Sequence, residues 1–279
     1  MTAEQLARMR SVLFVPADRP ERFAKALASG ADGVIIDLED AVAPASKASA
    51  RASLSKWLIE APDCSVLVRV NSFGTNDYRA DLEVGRASRV AAILLPKAET
   101  AEAVAAAHTA VGKPIWPIIE SAKGLANATS IASAPGVNRL CLGTIDLALD
   151  MELDTTSPGA SIFMDQARFE VAVASKVAGI AAPIDGVHPR IDDASGLQAA
   201  ARHASGFGFT GMLAIHPRQP SLINAAFAPS SDEAAWAEAV LAEAASNPGA
   251  FSFRGMMIDA PVLARARRIK ARAERHSGG

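Results

Sequence analysis

The sequence predicts a (β/α)8 barrel with a C-terminal helical extension, on three observations. Apolar runs of strand length recur eight times along the chain. Ala-rich stretches with helical spacing lie between most of them, and several end in glycine, a common helix stop. Charged and polar side chains collect at one end of the runs, where such a barrel keeps its chemistry.

The runs, in order, are SVLFVP (11–16), GVIIDLE (33–39), VLVRVN (66–71), AAILLPK (91–97), IWPIIES (115–121), RLCLGTID (139–146), APIDGVHP (182–189) and GMLAIHP (211–217). Their hydrophobicity is continuous rather than alternating, the mark of strands buried on both faces of a parallel sheet. RPERFAKALASG, ETAEAVAAAHTAVG and ARFEVAVASKVAG read as crossover helices. Asp37, Glu39 and Asp40 close the second run, Arg69 and Asn71 the third, Lys97 the fourth, Glu120 the fifth and Asp146 the sixth. Asp185 lies within the seventh and His216 closes the eighth. The barrel is expected over residues 10–228. In the extension, 229–279, PSSDEAAWAEAVLAEAA reads as a helix, followed by a loop and a last helix ending in ARARRIKARAE.

Half of the 279 residues are hydrophobic, enough for a large core. The net charge of -2 implies no strongly basic face and argues against a nucleic-acid partner. No apolar run reaches the roughly 18 residues of a membrane span. The opening MTAEQLARMR lacks the apolar stretch of a secretory signal. Cys64 and Cys141 stand far apart without metal-type spacing, and read as reduced thiols of a cytoplasmic protein.

Glu120 and Asp146 are 26 positions apart, about one β/α unit, so they should end neighbouring strands. Carboxylates on strands about 4.8 Å apart repel unless a cation or proton lies between them. Mg²⁺ suits such a pair; the alternative is that each acid caps the helix that follows. Arg69, between Val68 and Val70, needs a counter-charge. That partner is Glu39 or Asp40, or else a substrate carboxylate or developing enolate oxygen. Lys97 reads as paired with the acids of the mouth rather than as a Schiff-base lysine, and His216 as a residue that fixes its loop. Asp18, Arg19, Arg22 and Lys25 form a charged segment, a solvated helix start whose basic members also suit a phosphate-bearing ligand. Asp259, before Ala-Pro, is an N-cap on its physical chemistry alone.

RSVLFVPADRPERFAKAL, GVIIDLEDAV with Lys47 and Arg51, VRVN, ILLPKAE, PIIESAKGL, LGTIDLALD, IDGV and GMLAIHPRQ occur in this order. Together they resemble the citrate lyase β-subunit-like proteins, part of a superfamily of metal-dependent C–C lyases and aldolases that includes malyl-CoA lyases. The resemblance implies a (β/α)8 barrel in a homo-oligomer, commonly a trimer, with Mg²⁺, or Mn²⁺ in its place, held by Glu120 and Asp146. It implies that Arg69 binds substrate and acts in catalysis, and that Arg19 and Lys25 meet the nucleotide of CoA. RGMMIDAP matches a motif whose aspartate is an acid/base that reaches a neighbouring subunit's site, which makes Asp259 catalytic as well as an N-cap. Asp37, Glu39 and Asp40 would then support Arg69 and metal-bound waters from a second shell. The implied substrates are an acyl-CoA and a 2-oxo acid, with a thioesterase and a subunit acting on an acyl carrier protein as the alternatives. Three departures put the substrate in question: Ala17 where a glycine is usual, Glu152 where relatives often carry glycine, and Pro220 in IHPRQP.

Overall fold

Each of the eight apolar runs forms a buried parallel strand: β1 (Ser11–Pro16), β2 (Gly33–Asp37), β3 (Val66–Arg69), β4 (Val90–Leu95), β5 (Ile115–Ile119), β6 (Arg139–Leu142), β7 (Ala181–Asp185) and β8 (Gly211–Ala214). In this computed structural model, which describes residues 1–61, 64–247 and 249–274, the strands pair in sequence order. β8 closes on β1. The result is the expected (β/α)8 barrel. Apolar side chains from every strand, among them Val12, Ile35, Leu67, Leu94, Ile118, Cys141, Ile184 and Leu213, fill its interior. That filling is the packed core such a barrel requires. Helices 101–111 and 158–177 end near the expected glycines, and Gly112 takes a φ of +66° at the end of the first.

The N-terminal end of the barrel is closed by a short helix, Ala3–Arg8, that the strand pattern did not announce. Its Leu6, with the following Met9, joins the interior cluster. Arg139, the first residue of β6, is fully buried beneath it. The guanidinium donates to the carbonyls of Met9 (2.7 Å), Leu6 (3.4 Å) and Ala182 (2.6 Å) and to Thr210 Oγ1 (2.5 Å). It also lies 5.6 Å from the Trp116 ring centroid. Burial lowers its pKa to about 10, because no carboxylate hydrogen-bonds it to offset the lost hydration.

The chain divides into two compact units, Met1–Asn224 and Ala225–Gly279. In the second, helices Ser231–Ser246 and Ala260–Glu274 bury Ala237, Val240, Ala266 and Ile269. The stretch expected to be a loop is instead a hairpin of β9 (Phe251–Phe253) and β10 (Met256–Ile258). Met256 opposes Phe253, which leaves Arg254 and Gly255 as a two-residue turn. Both have positive φ, +48° and +78°, as a type I′ turn demands. Among the described residues, no helix is long and apolar enough to cross a membrane.

Arg139→Met strips four acceptors of their buried donor. It is expected to cost about 3 kcal/mol. At about 3 °C per kcal/mol for a domain of this size, a thermal scan should show Tm lower by roughly 10 °C.

Candidate active site

The C-terminal ends of the strands surround a cavity of about 240 Å³. Register brings its first pair together, since Asp37 of β2 stands opposite Arg69 of β3. Arg69 grips that carboxylate with two parallel bonds, Nε to Oδ1 at 2.7 Å and Nη2 to Oδ2 at 2.5 Å. Its third nitrogen, Nη1, lies 3.0 Å from Glu39 Oε2, and the guanidinium stands 4.7 Å from the Phe14 ring centroid. Burial opposes the charge of Arg69, but Asp37 and Glu39 outweigh it and push the pKa above the ordinary guanidinium range. The expected partners are therefore half corrected. Glu39 is one, but the other is Asp37, not Asp40, because strand register selects it. Asp40 is exposed and lines the cavity.

The turn after β2 wraps the same carboxylate: Glu39 N–H and Ala41 N–H donate to Asp37 at 3.0 and 3.2 Å. From behind, Lys47 Nζ donates to the carbonyls of Leu38 and Glu39, each at 2.9 Å, and to Asn71 Oδ1 at 2.6 Å. Asn71 in turn donates to Leu38 O and to Asp81, which also receives Arg51.

Glu120 follows β5 and is buried. Its Oε1 accepts the Lys97 backbone N–H at 2.7 Å, while Lys97 Nζ donates to Glu39 at 2.8 Å. Lys97 takes a left-handed φ of +48°. It is thus paired with the mouth acids, as expected. Gly143 backs Glu120 so closely that a Cβ there would stand 2.5 Å from its Oε2. Burial pushes the Glu120 carboxyl up to about 8; the Lys97 N–H pulls the other way, and the charges of Asp146 and Glu39 push further.

Asp146 also lines the cavity, but from the first turn of helix Thr144–Asp150 rather than from β6 itself, which ends at Leu142. Two mutually repelling carboxylates, one with an oxygen already committed, fit a hard divalent cation that takes its remaining ligands from water and substrate. Among the described residues no cluster of three or more His, Cys, Asp or Glu offers a fuller protein cage.

Arg19 and Lys25 are exposed outside the cavity lining, and Arg19 Nε lies 4.0 Å from Asp18. His216 accepts the Arg218 N–H at Nδ1, 3.2 Å, and so fixes its loop. Glu152 is exposed, lies outside the cavity lining and adopts φ of +53°, a conformation glycine takes without strain. Asp259 caps helix Ala260–Glu274 in the second unit, accepting Val262 N–H at 3.2 Å. Gly143 and Phe14 were not singled out by sequence. The one aromatic in an aliphatic strand was the available signal for Phe14.

Residues 10–217 match the family described as HpcH/HpaI aldolase/citrate lyase. A citrate lyase subunit beta-like protein of Mycobacterium tuberculosis is 39% identical over 264 residues, 94% of each chain. A (3S)-malyl-CoA thioesterase of Cereibacter sphaeroides is 36% identical over 235 residues, 83% of this chain and 81% of the other. The crystal structure of CitE from Mycobacterium tuberculosis with magnesium, acetoacetate and coenzyme A is similar at a TM-score of 0.85 and 37% identity, covering 96% of this chain and 99% of that one. The barrel and its ordered motifs thus have a common origin with these enzymes, and the chain belongs to the HpcH/HpaI aldolase/citrate lyase family.

Proposed function

We propose that this lyase cleaves and forms a carbon–carbon bond in a 3-hydroxyacyl-CoA that carries a carboxylate beside its hydroxyl, of the malyl-CoA, citramalyl-CoA or citryl thioester type. Cleavage releases acetyl-CoA or a related acyl-CoA and a 2-oxo acid. The observation that carries the reading is the meeting of Glu120, Asp146 and Arg69 in one cavity. The binding of magnesium, acetoacetate and coenzyme A by the similar CitE supports it.

Glu120 and Asp146 would hold Mg²⁺, or Mn²⁺, which when bound supplies Lewis-acid polarisation of the oxo-acid oxygen. Arg69, already fixed by Asp37 and Glu39, presents its positive charge where the thioester enolate oxygen develops, without reorganising. Asp259, contributed by a neighbouring copy in a homo-oligomer, most simply a trimer, transfers the proton at the thioester's methyl carbon. Arg19 and Lys25 meet the CoA phosphates. A second reading is favoured by the malyl-CoA thioesterase relatives, in which water attacks the thioester. Free CoA with intact malate, rather than acetyl-CoA with glyoxylate, would identify it.

Asp146→Asn should remove EDTA-sensitive turnover: several kcal/mol of stabilisation are lost, a fall on the order of 10³-fold. Full activity in that variant would refute the metal assignment. Asp259→Asn should lower kcat by about 10²–10⁴-fold. If the site is shared between copies, mixing this variant with Asp146→Asn and reassembling the oligomers should restore part of the activity; no recovery would place each site within one chain.

Glu120 also sets a pH dependence. Its pKa rises from 4.5 to about 8 on folding, so the metal-free protein loses this group's stabilising contribution as pH climbs between those values. Below pH 8, Mg²⁺ must displace a proton, and its affinity should rise up to about tenfold per pH unit before levelling off. The gain in Tm on adding Mg²⁺ should therefore grow from pH 6 to pH 8. A gain independent of pH would place the ion elsewhere.

A further inference from the structure

Lys47 breaks a local rule, as residues with a task beyond the local fold do. It is the first residue of helix Lys47–Glu60, where a cation opposes the helix dipole. That helix has no side-chain cap at Ser46 and no acidic residue in its first turn. The lysine instead reaches back to the turn that follows β2. Its bonds to Leu38 O, Glu39 O and Asn71 Oδ1 use all three donors of an ammonium, and none of the acceptors is a carboxylate. Leu38 O and Glu39 O are the carbonyls on the two sides of the Glu39 Cα. The Glu39 N–H donates to Asp37 Oδ1, so the residue is held at both of its peptide groups.

The partners are fixed in turn. Asn71 Nδ2 donates to Asp81 Oδ2 at 2.6 Å, and the Asn71 backbone N–H donates to the same oxygen at 2.7 Å. Asp81 is fully buried and takes Arg51 Nη1 at 3.1 Å. On its other side the held residue faces the site. Glu39 Oε1 accepts Lys97 Nζ, and the Lys97 N–H occupies Glu120 Oε1. Three links therefore join Lys47 to Glu120, and neither Lys47, Glu39 nor Lys97 lines the cavity. A backbone shift at Glu39 moves its carboxylate, frees the Lys97 side chain and lets the φ of +48° relax. The N–H then leaves Glu120, and the carboxylate is no longer held in its place in the cavity wall.

Resting on the function proposed above, we infer that Lys47 is a positioning residue for metal binding. Without touching substrate or ion, it sets Glu120 through Glu39 and Lys97. The two ways a lysine can act here have opposite signs. A cation acting through space repels a divalent ion, so its removal tightens binding. A cation acting through the relay holds the ligand, so its removal loosens binding.

The test compares the full-length protein with Lys47→Met, Lys47→Arg and Arg139→Met. Mg²⁺ is titrated calorimetrically at one pH, and amide exchange at Lys97 is followed in the metal-free protein. Lys47→Met should weaken Mg²⁺ about tenfold, the lower end of what outer partners contribute to a metal site. It should speed exchange at the Lys97 amide by a similar factor. Lys47→Arg keeps the charge, but a planar guanidinium does not fit three acceptors gathered around one nitrogen. It should weaken Mg²⁺ as well, and it carries the test should Lys47→Met not fold. Arg139→Met loosens the opposite end of the barrel and should lower Tm while leaving both readouts unaltered. Mg²⁺ binding unchanged or tighter in Lys47→Met, or at the parent level in Lys47→Arg, overturns the inference. So does a loss of affinity that Arg139→Met shares, since stability alone would then explain it. If the parent protein binds no Mg²⁺, the metal assignment fails and exchange decides the relay by itself. Faster exchange at Lys97 in the Lys47 variants but not in Arg139→Met upholds the relay, and unchanged exchange overturns it.

Discussion

A guanidinium at the end of a buried strand must be neutralised where it stands, and the neutralisation of Arg69 organises the mouth of this barrel. An unpaired charge there would cost far more than a small domain can spare. Asp37 supplies the geometric match, with both oxygens aligned to two nitrogens, and Glu39 takes the third. This explains why β2 ends in a crowd of acids. Two of the three carboxylates that follow it are neutralised within the wall, while Asp40 is left on the cavity surface. What looks like repulsion along the sequence is charge balance across strands.

The same balance reaches Glu120 in two steps. Glu39 is shared with Lys97, whose side chain is thereby pinned. With Nζ fixed, the Lys97 backbone turns through a left-handed φ and aims its N–H at Glu120. That conformation costs a non-glycine residue about 1–2 kcal/mol, and the two anchors offset it. Glu120 ends in a position no free carboxylate would choose, buried and beside other acids, with Gly143 at its back. A proton or a cation relieves it. The scaffold thus holds this carboxylate where burial and neighbouring acids oppose its charge, and Lys47, Asn71 and Asp81 keep the supporting turn from relaxing away.

The barrel was legible because a doubly buried strand has one sequence signature, an unbroken apolar run, and eight of them admit few closures. The ends of the runs were legible for the same reason: only function or pairing explains charge at a buried terminus. Partners across strands were less so. Asp37 takes Arg69 through register, which no single strand's sequence states. Asp146 was expected at a strand end, yet the chain turns helical at Thr144 and delivers it from there. The β9–β10 hairpin was missed because Arg254 bears a conformation usually signalled by Asn or Gly, so its turn reads as a loop. Arg139 was missed for the opposite reason: it begins an apolar strand, where a charge reads as a solvated end, and its partners are three carbonyls and the hydroxyl of a distant threonine, none of which a residue pattern announces.

The two halves of the mouth differ in how freely they can change. On the β2–β3 side Asp37, Glu39 and Arg69 are tied to one another, so replacing one leaves a buried charge uncompensated, a loss of several kcal/mol. On the β7–β8–β1 side the lining is apolar and partly exposed at Ile215, and a substitution there breaks no ion pair. Substitution is therefore constrained on one side of the mouth and freer on the other. Relatives that share the fold at over a third identity and bear different reaction names are what such an architecture produces.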